Sequence, residues 1–199
     1  MMSRILLIGP KTSTGGISKY VDDILSCDLN YDVIHFNITR PIKSKTRITN
    51  EVNYSTIINA GFFHLMKSII VTIWNLLRFP IVIIKYKPKI VHISGASFFV
   101  FWENAFYIII SKLFRKKIFF HYLGAFDQFY YASNKFQRRL IRVILCKVDY
   151  LAVLSEKVKS IMIQFFDESK LSVIPSTISF SDYNKGEKIG TFDSSKFYV

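Results

Sequence analysis

The sequence predicts an α/β fold, a doubly wound parallel sheet with helices on both faces. Three observations carry the prediction. Short apolar runs alternate with longer stretches of helical periodicity along most of the 199 residues. The first run, Arg4–Gly9, is continuously apolar after its first residue and ends in Gly-Pro, as a strand buried on both faces does. The stretch after it places Ile17, Tyr20, Val21, Ile24 and Leu25 at i, i+3, i+4, i+7 and i+8, one face of a helix. Strands and helices alternating in this way form a Rossmann-like sheet, with ligands outside the carboxyl ends of its strands.

The remaining elements follow in order. Tyr31–Phe36 reads as a second strand. Asn37–Tyr54 is polar, basic and contains Pro41, and reads as a long loop. Residues 55–84, approximately, form an apolar helical region, with a break expected near Pro80. Lys89–Ser94 is a third strand, and Gly95 starts the turn after it. Phe98–Phe114 is helical and Lys117–His121 is a fourth strand. An amphipathic helix is expected over residues 135–147, a strand over Tyr150–Leu154, a helix over Ser155–Phe166 and a sixth strand over Leu171–Ile174.

Composition narrows the function classes. Half the residues are hydrophobic and 16% aromatic, which excludes a disordered polymer. Lys and Arg number 27 against 14 Asp and Glu, a net charge of +13. Such a balance suits polyanions: nucleic acid, anionic lipid or a diphosphate substrate. A Lys-rich composition alone also produces it. Cys27 and Cys146 are isolated and lack metal-ligand spacing, which fits a reducing cytosol. Gly61–Lys85 is the most apolar stretch, but its longest uncharged run, Ser68–Leu77, lies between Lys67 and Arg78. A span needs ~20 largely apolar residues, so this segment reads as a buried or interfacial helix.

The first loop, Gly9 to Tyr20, reads GPKTSTGGISKY. It joins a strand to a helix, so its N–H groups can meet an anion. It is neither G-x-G-x-x-G nor a P-loop, which disfavours a dehydrogenase or an ATPase. Gly15 and Gly16 would let a substrate approach the backbone closely, or would serve a tight turn. His92 and His121 are read as ending adjacent strands, where an imidazole can donate a hydrogen bond or act as a base; a structural role is the alternative for each. His35, inside a strand, reads as packed. Basic clusters lie at Arg40, Lys43, Lys45 and Arg47, at Lys112, Arg115, Lys116 and Lys117, and at Arg138, Arg139 and Arg142. Phe98, Phe99, Phe101, Trp102, Phe129, Tyr130 and Tyr131 lie near them in sequence. Cations with aromatics suit an anionic membrane interface, or are ordinary solvated helix faces. No nucleic-acid-binding motif accompanies the charge. No G-x-S-x-G elbow, metal-ligand cluster or Asp-x-Asp pair occurs, since Asp22-Asp23 falls inside a helical pattern.

Five segments in order carry a family resemblance: ILLIGPKTSTGGISKYVDDIL, KPKIVHISG, KKIFFHYLG, CKVDYLAVLSEKVKSIM and KLSVIPSTIS. Together they resemble the amino-terminal half of family-4 glycosyltransferases, over residues 4–180. The resemblance implies one half of a GT-B architecture, in which two Rossmann-like domains enclose the active site. The amino-terminal domain binds the acceptor; the other binds the sugar nucleotide and carries a pair of glutamates. Carried over by position, Gly15 and Gly16 would line the site near the diphosphate and the acceptor. His121 would contact the transferring sugar as the catalytic residue, with His92 as a substrate-binding neighbour. Such enzymes retain anomeric configuration and use no metal or resident cofactor, the nucleotide sugar being a co-substrate. Ser176-Thr177 departs from the family's Asn-Gly at the domain crossing.

The expected layout is an acceptor domain over 1–180, then a linker and the opening strand of a donor domain over 181–199. The chain is expected to be an incomplete enzyme, inactive alone. Its partners would be a saccharide or lipid-linked glycan acceptor, a donor-domain chain and an anionic membrane surface met by Arg40, Lys43, Lys45, Arg47, Arg115, Lys116 and Lys117, with no nucleic acid. The expected location is cytoplasmic, peripheral at the inner membrane face. The rival reading is a non-catalytic membrane-docking subunit serving a donor domain on another chain.

Overall fold

The computed structural model describes residues 4–11, 16–39 and 62–175. Its strands are β1 (Arg4–Gly9), β2 (Asp32–Asn37), β3 (Ile90–Gly95), β4 (Lys117–Tyr122), β5 (Tyr150–Val153) and β6 (Leu171–Val173). Its helices are α1 (Gly16–Ser26), α2 (Phe62–Tyr86), α3 (Phe99–Leu113), α4 (Phe126–Ala132), α5 (Lys135–Leu145) and α6 (Glu156–Met162). A 3-10 turn, Glu168–Lys170, precedes β6.

The six strands form one sheet in the order β2-β1-β3-β4-β5-β6, every neighbouring pair parallel. The predicted doubly wound sheet is therefore present. Its order reverses between β1 and β3, which makes the carboxyl ends of those strands the topological switch point.

Strand alternation divides the sheet into two unlike faces. On one, Leu6, Ile8, Phe36, Val91, Ile93, Ile118, Phe120, Leu151, Val153 and Leu171 join a single buried cluster. Residues of α2 through α6 close over it, among them Phe79, Tyr107, Phe126, Ile141 and Met162. On the other face lie Leu7, Gly9, His92, Ser94, Phe119, His121 and Ala152, in register across β1, β3, β4 and β5. Here α1 packs, and Val21 sits so close that a Cβ on Gly9 would come within 2.5 Å of its Cγ2.

Helix ends follow local chemistry. Asn134 and Gln137 form a reciprocal capping box at the start of α5. Ser155 caps α6, accepting from the Val158 N–H. Beyond α2 and α3 the chain turns through left-handed Lys87 (φ 48°) and Arg115 (φ 53°), each placing a cation by a helix carboxyl end. Asp149 accepts from Lys112 Nζ at 2.6 Å and from the Ile118 N–H at 2.7 Å, tying α3 to β4.

Three expectations need correction. The long helix is not broken at Pro80: α2 runs through it. Proline removes one backbone bond there, and Phe79 and Ile83, buried on either side, hold the axis against the sheet. The helix predicted over Ser155–Phe166 stops at Met162, and α4 had no place in the pattern. The loop over Asn37–Tyr54 lies outside the described residues from Arg40 onward, as do Ser176-Thr177 and the tail.

Candidate functional site

The site is built where β1, β3 and β4 end on the α1 face. In register across the sheet stand Gly9, Ser94, His121 and Ala152. One row deeper stand Leu7, His92 and Phe119. Tyr20 of α1 lies over both histidines: its hydroxyl is 3.4 Å from His92 Nε2, and its ring meets His121 edge to face at 4.6 Å.

His121 is fully buried. Its Nε2 lies 3.2 Å from the Ile174 carbonyl. A carbonyl only accepts, so Nε2 carries the proton and Nδ1 keeps a free lone pair. Among the described residues that Nδ1 has no hydrogen-bond partner, and neither does Ser94 Oγ at the paired position on β3. Buried polar atoms are ordinarily satisfied; Thr72 Oγ1, Ser111 Oγ and both amide atoms of Asn104, on α2 and α3, also lack partners among the described residues, and this pair differs in standing at adjacent positions on neighbouring strands.

Desolvation sets the charge here. Burial pulls the His121 pKa below the ordinary imidazole value, partly opposed by its bond to the Ile174 carbonyl. Burial and the neighbouring His121 pull His92 down to about 3. Burial pushes the Tyr20 phenol up to about 12. At neutral pH the trio is uncharged. His121 is thus a weak base, suited to orienting a hydroxyl rather than taking its proton.

Gly16 opens α1, is exposed, and has nothing within 4 Å of an added Cβ. Among the described residues, neither packing nor a left-handed backbone requires glycine there. The positive end of a helix dipole favours an anion. Gly15 lies outside the described residues. Behind the site two loops are locked together. Tyr122 donates to Ser97 Oγ at 2.9 Å, and Ser97 donates to the Ala125 carbonyl at 3.1 Å. A Cβ on Gly124 would meet Ser97 Oγ at 2.6 Å.

Other predicted residues fall elsewhere. His92 does not end its strand; it is third in β3, one row below the edge and beneath Tyr20. His35 lies 2.9 Å from the Gly9 carbonyl and ties β2 to β1. Arg115, Lys116 and Lys117 sit at the amino edge of the sheet, opposite the site. Arg40, Lys43, Lys45 and Arg47 are outside the described residues. Phe101, Phe129 and Tyr130 are core residues rather than surface aromatics, while Phe99 and Tyr131 are exposed. Arg138 and Arg142 are not free helix-face cations: Arg138 donates to the Tyr130 and Tyr131 carbonyls and Arg142 to the Tyr130 hydroxyl. Sequence reasoning missed Ser94 and Tyr20. The signal for Ser94 was its place two residues after His92, which puts both on one face of a strand. Tyr20 was read only as part of an apolar stripe. Among the described residues no cluster of three or more His, Cys, Asp or Glu could hold a metal ion.

The fold and site define a doubly wound, Rossmann-like domain with uncharged polar side chains buried at its switch point. No family model and no curated protein matches the chain. Among solved structures it is similar to a UDP-GlcNAc 2-epimerase from Methanocaldococcus jannaschii, at 14% identity and a TM-score of 0.46. That match covers 87% of this chain and 45% of the epimerase, so the chain spans under half of its length.

Proposed function

We propose that this chain is the acceptor-side half of a glycosyltransferase. It would hold a saccharide or lipid-linked glycan hydroxyl while a donor-binding domain, on this polypeptide or another, presents a nucleotide sugar. The observation that carries the reading is the orphaned pair, His121 Nδ1 and Ser94 Oγ, beside the amino end of α1. The neutral imidazole, held by Ile174, accepts from the incoming hydroxyl and fixes its direction. The positive end of the α1 dipole would favour the charge that a diphosphate gathers. Alignment of nucleophile and leaving group supplies much of the rate in such a reaction. The five family-like segments support the same reading, since three of them supply β1–α1, β3 and β4, the elements that build the pocket.

The test is ligand binding by saturation-transfer NMR with a panel of oligosaccharides and lipid-linked glycans. Saccharide binding is expected, and His121→Leu or Ser94→Ala should weaken it at least about tenfold, the cost of one lost hydrogen bond of roughly 1.4 kcal/mol. Unfolding midpoints of the two variants should stay near the parent. Equal binding by parent and variants would remove the pocket from the mechanism. Micromolar affinity of the chain alone for a UDP-, GDP- or CMP-sugar would mean a donor site instead, and the acceptor-half reading would fall.

A further inference from the structure

Helix α2 carries an exposed apolar surface, unpartnered among the described residues, that the sugar-transfer reading does not use. Phe79 and Ile83 are buried against the sheet and Asn75 is buried on the same side. Opposite them, Ile70, Trp74, Leu77, Ile81 and Ile84 form one continuous stripe turned away from the protein. Leu77 and Ile81 are 64% exposed and Trp74 is 60% exposed, where soluble proteins keep isolated apolar residues rather than a stripe. Neighbouring α3 continues the surface with exposed Phe106 and Leu113. Met66–Tyr86 is, among the described residues, the one helix long and apolar enough to cross a membrane, yet its inner side is committed to the sheet.

Charge says what covers the stripe. Helical spacing puts exposed Lys67, Arg78 and Lys85 along one flank of it. Neither α2 nor α5 contains a carboxylate, and the single one on α3, Glu103, is buried. Beyond the carboxyl ends of α2 and α3 lie exposed Lys87, Lys89, Arg115 and Lys117. A second copy of the chain, net charge +13, would bring the same cations against themselves in a two-fold interface. An anionic bilayer offers acyl chains to the stripe and phosphates to its flank.

We propose that α2, with the outer side of α3, lies in the plane of an anionic membrane, its aliphatic stripe in the acyl boundary and Lys67, Arg78 and Lys85 among the headgroups. This surface is separate from the pocket at the switch point. Its failure would leave the saccharide-binding test untouched.

Trp74 is a built-in reporter, and Trp102→Phe removes the only other tryptophan. The full chain is floated with vesicles of phosphatidylcholine and phosphatidylglycerol at about 2:1, and with pure phosphatidylcholine. Binding to the anionic vesicles, a blue shift of Trp74 emission and quenching by brominated acyl chains are the expected results. Leu77→Asp with Ile81→Asp should lower partitioning by more than about tenfold. Lys67→Gln, Arg78→Gln and Lys85→Gln together should cost about a hundredfold on anionic vesicles and nothing on neutral ones. Circular dichroism checks that these exposed changes leave the fold intact. If the aspartate variant does not fold, quenching of Trp74 in the otherwise unaltered chain decides alone. No flotation, flotation without Trp74 quenching, or a dimer that shields Trp74 would each overturn the proposal.

Discussion

The two faces of the sheet share the same strands and the same register, yet do opposite things with alternate residues. On the face under α2 through α6, strand positions are aliphatic or aromatic and close-packed. On the α1 face the same strands present Gly9, His92, Ser94 and His121, and two buried polar atoms there lack partners. Unsatisfied groups are not confined to that face, since Thr72 of α2 and Asn104 and Ser111 of α3 also lack partners among the described residues, each such group costing about 1–3 kcal/mol; on the α1 face they belong to the strands themselves. The two-residue period of a strand thus sets an aliphatic and aromatic face against one that carries glycine, histidine and serine.

The largest expected difference comes from cutting into the packed face. Phe120 is fully buried, lies edge-on to Tyr122, and presses on Gly95 so closely that a Cβ there would sit 2.2 Å from its ring. Phe120→Ala should destabilise by about 3–5 kcal/mol in urea unfolding, the range for emptying a buried phenylalanine site. His121→Leu, its neighbour in β4 facing the other way, should change stability by no more than about 1 kcal/mol. It loses the bond to Ile174 but also removes the orphaned Nδ1. Equal losses at the two positions would erase the division between the faces.

That division was partly legible in the sequence. Strand order of appearance, α1 and the carboxyl-edge location of His121 followed from periodicity, because continuous apolar runs separated by helical stripes admit few topologies. The faces were harder to read. In a sheet buried on both sides the apolar run hides which residues point which way, so VHISG did not announce that His92 and Ser94 share a face while His92 sits deeper. Phe101 and Phe129 were read as surface aromatics because sequence proximity to Arg and Lys says nothing about direction. The break expected at Pro80 failed for a related reason: propensity is local, whereas Phe79 and Ile83 bury through tertiary contact. The α4 segment is seven residues long, too short for periodicity to register.

A middle-sized effect should appear with pH. Both histidines on the α1 face have folded pKa values below the unfolded one, so the unfolded chain binds protons that the folded chain refuses. Stability is then unaffected above the ordinary imidazole value and falls as pH drops below it, continuing toward about 3 for His92. The slope should be up to about 1.4 kcal/mol per pH unit for each histidine. His92→Gln should remove one proton's worth of that slope between pH ~6 and ~4, measured by urea midpoints across the range. An unchanged slope would mean that His92 titrates normally, and that the α1 face is wetter than its geometry implies.

The smallest change tests the mouth of the pocket. Gly16 sits at the first turn of α1, with no atom near the place of a Cβ and no left-handed backbone to strain. Glycine here costs chain entropy on folding, and alanine would remove part of that cost. Gly16→Ala should therefore stabilise the protein by about 0.4–1 kcal/mol. The same methyl would stand in the open space beside the α1 N–H groups and hinder whatever approaches them. A gain in unfolding midpoint together with weaker ligand binding is the expected pair. Gly9→Ala offers the contrast in stability, since its methyl would meet Val21 Cγ2 at 2.5 Å and should destabilise, while also reaching 3.7 Å from Ser94 Oγ. If Gly16→Ala lost stability instead, the glycine would be serving the fold, and the amino end of α1 would drop out of the site.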